Sequence, residues 1–203
     1  MENISPKVLF LDIGGVLLTN GWGHESRQKA ATEFGFDYER MNALHEIAFD
    51  VYEQGAVSLD YYLDTILFYE PRSFAKETFV QFMLSQSQLL PHTLDWLLQW
   101  KKTKPGLRIF SINNEPKELQ EYRVKTFDLK RLYDGFICSC DVGLRKPDPR
   151  IYRLAMAVAA VEPDECIYID DREVLVRAGS RQGMEAKTHK SFEETKDFLL
   201  GAF

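Results

Sequence analysis

The 203-residue sequence predicts an α/β fold: an open parallel-sheet, Rossmann-like core with an inserted α-helical cap. Three observations lead there. Val8 to Ile13 is a short apolar run stopped by Gly14-Gly15, the pattern of a strand buried on both faces and followed by a tight turn. From Pro91 onward helical and strand-like segments alternate, which implies parallel pairing through right-handed crossovers. Between these regions, four helical patterns follow one another with no strand among them.

The cap helices are expected at Glu25 to Phe34, Tyr38 to Tyr52, Ser58 to Phe68 and Phe74 to Ser85, where apolar residues recur three and four apart. Leu44, Ile47, Ala48 and Val51 make the clearest stripe, with His45 packed beside it; Gly35, Gly55 and Pro71 separate the segments. The alternating part predicts helices at 91–103, 116–127, 149–160, 173–183 and 191–200, and strands at 107–112, 135–139, 166–170 and 184–188. The chain then divides into a core of residues 1–16 and 89–203 and a cap of residues 17–88. Trp96 and Trp100, four apart, are expected to pack in the core, and Phe74, Phe79, Phe82 and Met83 to form the inner surface of the cap.

Composition narrows the function. With 45% hydrophobic and 28% charged residues the chain is an ordinary globular protein, able to bury about 70% of its unfolded surface without disulfides or a structural metal. Twenty-five Lys and Arg against thirty-one Asp and Glu leave a net charge of -6 with no long block of either sign, which argues against nucleic acid or an anionic membrane as partner. No apolar run approaches the ~20 residues that span a bilayer. The opening Met-Glu-Asn-Ile-Ser-Pro lacks the regions of a signal peptide, so the expected location is cytoplasmic. Cys138, Cys140 and Cys166 form no Cys-x-x-Cys and are read as reduced thiols; Cys138 and Cys140, alternating on one strand, are expected to be poorly placed for a reactive pair. Oligomeric state leaves no mark in the sequence.

In an open parallel sheet the ligand sits beyond the carboxyl ends of the strands. Four strands end in polar groups here: Asp12; Asn113 with Asn114; Lys146 in the loop after the third; and Asp170 with Asp171. Three carboxylates and a lysine at one edge would titrate abnormally unless a cation sat among the acids and an anion near the lysine. Oxygen donors with no nearby His or Cys favour Mg2+ over zinc. The anion has helix starts to meet: Asn114 precedes Glu115-Pro116, and Asp148 precedes Pro149, and helix N-termini offer free N–H groups to phosphate.

These segments resemble the haloacid dehalogenase superfamily of phosphotransferases. The matching blocks are Phe10-Leu-Asp12-Ile-Gly-Gly-Val-Leu, Ile112-Asn-Asn-Glu, Gly143-Leu-Arg-Lys146-Pro-Asp-Pro-Arg-Ile-Tyr152 and Tyr168-Ile-Asp170-Asp171-Arg, in the family's order. The resemblance covers about residues 4–16 and 90–190; the cap matches only in position and helical character. It implies a phosphatase of a small phosphorylated metabolite, with Asp12 as nucleophile, a phosphoaspartate intermediate, and Mg2+ held by Asp12, Asp171 and the Gly14 carbonyl, with Asp170 behind. Lys146 would pair with nucleophile and phosphate. Asn113 and Asn114 would bind substrate, Asn113 standing where the family has Ser or Thr; Ser111 is the alternative for that role.

One departure is chemical. Where the family's phosphatases carry a second Asp, two residues after the nucleophile, this chain has Gly14. That Asp protonates the leaving oxygen and then activates water, work commonly worth 10²- to 10⁴-fold. Three explanations stay open: a cap residue such as His24 supplies the proton, the substrate has a good leaving group, or turnover is slow. The alternative functions are a catalytically weak phosphate-binding or regulatory protein, a sugar phosphomutase, and a haloacid dehalogenase. Arg172, next to the acids, pairs either with them or at the surface.

Overall fold

In the computed structural model, residues 8–203 are described, so the first seven residues of the expected core segment lie outside the described residues. Five strands, β1 (Val8–Leu11), β2 (Arg108–Asn113), β3 (Gly135–Cys138), β4 (Cys166–Asp170) and β5 (Glu185–Thr188), form one parallel sheet in the order β3-β2-β1-β4-β5. β1 is central and wholly buried, with Leu9 and Leu11 in one apolar cluster and Val8 and Phe10 in the other. Alternate residues of a strand point to opposite faces, so a central strand covered on both sides has to be apolar throughout. β5, at the edge, reads Glu-Ala-Lys-Thr and is only partly buried, as an edge strand must be to discourage pairing with another chain.

The sheet is flanked by α5 (Thr93–Lys102), α6 (Lys117–Thr126), the short α7 (Ser139–Val142), α8 (Pro149–Ala159), α9 (Glu173–Ser180) and α10 (Phe192–Ala202). Trp96 and Trp100 stack at 5.3 Å on α5 within the core. Strand 135–139 of the sequence reading ends at Cys138, because Ser139 starts α7; the first strand stops at Leu11, although Asp12 N–H still donates to the Ile169 carbonyl at 2.9 Å.

Between β1 and β2 lie α1 (His24–Phe34), α2 (Tyr38–Glu53), α3 (Leu59–Ile66) and α4 (Lys76–Ser85), packed on an apolar cluster of their own. Its centre is aromatic: Phe34, Phe74 and Phe79 meet at centroid distances of 4.7–6.0 Å, and Tyr52 stacks on Tyr62 at 4.6 Å. The stripe on α2 differs from the expected one. Met41, His45, Ala48 and Tyr52 face inward, while Ile47 and Val51 are exposed, because α2 turns toward Tyr62 rather than toward its most aliphatic face. His45 completes a buried chain in which Trp22 Nε1–H donates to the Tyr62 hydroxyl at 2.8 Å and that hydroxyl pairs with His45 Nδ1 at 2.7 Å. Leu17 and Leu18, placed in the cap by the sequence reading, pack in the sheet-side cluster. The two strands of chain leading into and out of the helical insertion are zipped together, Leu90 N–H to the Leu17 carbonyl at 2.8 Å and Thr19 N–H to the Gln88 carbonyl at 2.9 Å.

Candidate active site

The parallel register sets the site. Leu11 is level with Ser111 and with Ile169, so the residues that follow, Asp12 and Asp170, emerge side by side from the two central strands. Between them comes Lys146, fully buried, from the loop between α7 and α8; its Nζ donates to Asp12 Oδ1 at 2.9 Å and to Asp170 Oδ2 at 2.5 Å. Asn114 fastens that loop in place: its Oδ1 accepts from Lys146 N–H at 2.8 Å and its Nδ2 donates to the Lys146 carbonyl at 2.9 Å. Asp170 is further bound by the Tyr168 hydroxyl at 2.5 Å and by the Arg172 backbone N–H at 2.9 Å.

Asp171 completes the acidic set. Oxygen atoms of Asp12, Asp170 and Asp171 lie within 4.8 Å of one another. The turn after β1 is what admits Asp171: Gly15 has φ +70°, and a Cβ there would lie 2.1 Å from Asp171 Oδ2. Only glycine meets both the left-handed backbone and the close approach.

Electrostatics follow from burial. Asp12 is pushed up to about 7 by desolvation, against the pull of Lys146 and with the push of Asp170. Burial alone would depress Lys146, but the two carboxylates outweigh it and hold the ammonium form above its usual range. Asp170 goes the other way: burial opposes ionisation, yet Lys146 and the Tyr168 hydroxyl hold its carboxyl below the usual range. Asp171 is raised by burial and by Asp170. A surplus of carboxylate over ammonium in a desolvated pocket, all from hard oxygen donors, fits a small divalent cation.

A cavity of about 180 Å³ opens on Asp12 and Asp171, lined also by Gly14 and Asn114 from the expected set and by residues the sequence reading missed, while Lys146 and Asp170 are buried behind Asp12 and are not among its lining residues. Among the latter are Glu53 from α2, Glu115 and Arg123. Glu115 closes the Ile112-Asn-Asn-Glu block just ahead of α6, and Leu119 and Arg123, four apart, share one face of that helix, so motif and spacing were both available as signals. Glu53 gave no such signal, because only the docking of α2 brings it to the core, where Arg145 Nε donates to its Oε2 at 2.7 Å. Arg172 lines the cavity too, and it is its backbone N–H that bonds Asp170.

Two expectations need correction, and one open option closes. Asn113 does not face the cavity: it is fully buried, its amide donates to Gln120 Oε1 at 2.8 Å and to Cys138 Sγ, and its Oδ1 accepts from Ser111 Oγ at 2.8 Å. Ser111 is buried with it, so a side chain on either would need to break a satisfied polar cluster to reach a ligand. His24, one of the proton sources left open, is an exposed residue at the start of α1, pairs with the Tyr38 hydroxyl at 2.6 Å and is not among the cavity residues. Cys138 and Cys140 are not held apart, since Cys140 belongs to α7 rather than to the strand and the sulfurs lie 3.3 Å from each other.

Fold and site together define an enzyme of the parallel-sheet type, with its acids at the strand ends beneath a helical insertion. A family model described as haloacid dehalogenase-like hydrolase matches residues 6–183, and the chain belongs to that family. It is 47% identical over 47 residues to a chloroplast flavin mononucleotide hydrolase 1 of Arabidopsis thaliana, covering 23% of this chain and 19% of that protein. It is 30% identical over 66 residues to a phosphoserine phosphatase of Thermus thermophilus, covering 32% and 26%. The chain thus matches about a quarter or less of the length of these curated relatives. Among solved structures, a HAD family enzyme from Bacteroides thetaiotaomicron, in complex with magnesium and inorganic phosphate, superposes with a TM-score of 0.78 at 20% identity over 91% of this chain and 94% of that one. No helix among the described residues is long and apolar enough to cross a membrane.

Proposed function

We propose that this hydrolase is a Mg2+-dependent phosphatase of a small phosphorylated metabolite, acting through a phosphoaspartate at Asp12. The observation that carries the reading is the buried Lys146 ammonium shared by Asp12 and Asp170, with Asp171 within reach of both acids. A carboxylate beside a fixed ammonium can stay ionised where burial alone would protonate it, and the same ammonium can take up charge on an approaching phosphoryl group. Asp12, Asp171 and the Gly14 carbonyl are the groups suited to hold the cation, with Asp170 oriented behind them by Tyr168 and Lys146. When bound, the ion supplies Lewis-acid neutralisation of phosphoryl oxygens.

On the protein side, Asp12 attacks phosphorus, Lys146 balances the two anions that meet there, and Asn114 keeps Lys146 in register. The cavity beneath the insertion, about 180 Å³ and lined mostly by polar and charged side chains, supports a small phosphorylated metabolite as the substrate. The relatives named as phosphatase and flavin mononucleotide hydrolase support phosphomonoesters as the substrate class. The second reading, a phosphate-binding protein with feeble turnover, draws on Gly14.

p-Nitrophenyl phosphate separates the two, because its leaving group needs little protonation. With Mg2+, wild type is expected to release phosphate and Asp12→Asn to lose at least about 10³-fold, as removal of a nucleophile does. Equal rates for wild type and Asp12→Asn across aryl and sugar phosphates would falsify the phosphatase reading.

A further inference from the structure

On the phosphatase reading, the loss of the second acid at Gly14 leaves the leaving oxygen without a proton donor. Resting on that reading, we propose that Glu115 donates this proton and later takes one from water, with Arg123 as its positioning residue.

Gly14 is not demanded by its backbone, which lies outside the left-handed region. The space in front of it is in use. A Cβ at Gly14 would lie 3.4 Å from Arg123 Nη1 and 3.0 Å from Asn20 Oδ1. A carboxylate at position 14 would therefore meet the Arg123 guanidinium, the group that already holds Glu115: Arg123 Nη1 donates to Glu115 Oε1. Glu115 thus brings a carboxyl group, from another segment of chain, to the guanidinium a side chain at position 14 would reach.

The placement is firm. Arg123 is 1% exposed, and its other donors go to Ser87 Oγ at 2.9 Å and the Thr19 carbonyl at 2.7 Å. Glu115 N–H donates to Ser139 Oγ at 3.0 Å, and the Cys138 thiol donates to the Glu115 carbonyl at 3.2 Å. Glu115 is 3% exposed and lines the same cavity as Asp12, and its charge contributes to raising Asp12. Its Oε2 is buried without a hydrogen-bond partner among the described residues. A buried bare oxygen on a carboxylate is costly, and a proton on it, offered to a guest oxygen, removes the cost. Burial raises the Glu115 carboxyl, against the pull of Arg123, Lys146 and the nearby Asn113 amide. Glu53, a further acid lining the cavity, has its Oε2 bonded by Arg145 Nε at 2.7 Å, so it lacks the bare oxygen that Glu115 has.

The Asp12 oxygen bonds to phosphorus as the bond from phosphorus to the leaving oxygen breaks, and that oxygen leaves as an alcohol with the proton from Glu115. Water then attacks phosphorus and passes a proton to the Glu115 carboxylate. The bond from phosphorus to Asp12 breaks, releasing inorganic phosphate and restoring both acids.

The test is a series of para-substituted phenyl phosphates of near-equal size, from p-nitro to p-methoxy, run with Mg2+ on wild type, Glu115→Gln and Glu115→Gln/Gly14→Asp. A proton donor flattens the dependence of rate on leaving-group basicity, so the wild-type series should be shallow. In Glu115→Gln the ratio of p-nitro to p-methoxy rates should rise by about 10²-fold or more, and Gly14→Asp in that background should bring it back down. A ratio unchanged by Glu115→Gln would overturn the assignment, and so would a steep wild-type series, which needs no variant. Absence of any Asp12-dependent turnover of p-nitrophenyl phosphate would instead remove the phosphatase reading beneath it.

Discussion

Lys146 joins two buried carboxylates, so its removal should be felt in stability as well as in rate. Lys146→Met leaves Asp12 and Asp170 facing each other without a cation, and breaking a buried ion pair from one side costs about 3–5 kcal/mol. Urea unfolding at pH 7 should show a loss of that order; a variant as stable as wild type would mean the acids are compensated by some other group. Gly15 carries a different expectation. Gly15→Ala brings a methyl into the space of Asp171 Oδ2 and asks alanine for φ +70°, so Mg2+ affinity, measured by calorimetry, should fall at least about tenfold. Unaltered affinity would exclude Asp171 as a ligand.

At the scale of the element, α2 carries a buried histidine whose titration links its packing to pH. Burial holds His45 down to about 3, with Arg27 adding to it, because the Tyr62 hydroxyl and the aromatic cluster surround a neutral ring. The unfolded chain titrates near 6.5, so between about 3 and 6.5 it binds more protons than the folded one, and stability rises with pH across that window. The contribution is fully present above 6.5 and is lost as pH falls. Between pH 7.5 and pH 5 the loss should be about 1–2 kcal/mol, and His45→Gln should remove that part of the pH dependence in thermal unfolding. An identical pH profile in the variant would place the acid sensitivity elsewhere. His45 also shows why the α2 stripe was misread from sequence. Periodicity locates an apolar face, but the aromatic partners on α3 and α4 select Met41, His45, Ala48 and Tyr52 over Ile47 and Val51.

At the scale of the molecule, the helical insertion is tied to the sheet at both ends of the cavity. Arg145, next to Lys146 in sequence, bonds Asp50 at 2.8 Å and Glu53 at 2.7 Å on α2, and the Tyr52 hydroxyl donates to Glu118 Oε2 at 2.8 Å. On the other side Arg123 holds Thr19 and Ser87, one from each linker. A cover held by such contacts excludes water when shut and must part to admit substrate. Arg145→Ala loosens only the first tie, so it should raise KM several-fold with a smaller change in kcat. An equal fall in kcat with unchanged KM would mean that Arg145 acts on the chemical step rather than on closure.

The strand ends were legible because a buried parallel strand must be apolar, so an acid such as Asp12 or Asp170 stands out where the apolar run stops. The order of the elements was legible too, since periods of two and of three to four residues follow from backbone geometry alone. Asn113 was misassigned because sequence shows that an amide ends β2 but not which way it faces; Gln120 and Cys138, brought close only by folding, turned it inward onto Ser111 of the same strand face. Glu53 reaches the cavity only through the docking of α2, a contact between segments far apart in the chain, where neither period nor motif operates. Local chemistry therefore determined the elements and the acids at their ends. The tertiary structure decided which of those polar groups share a cavity, because that depends on the packing of α2 and α6 over the sheet.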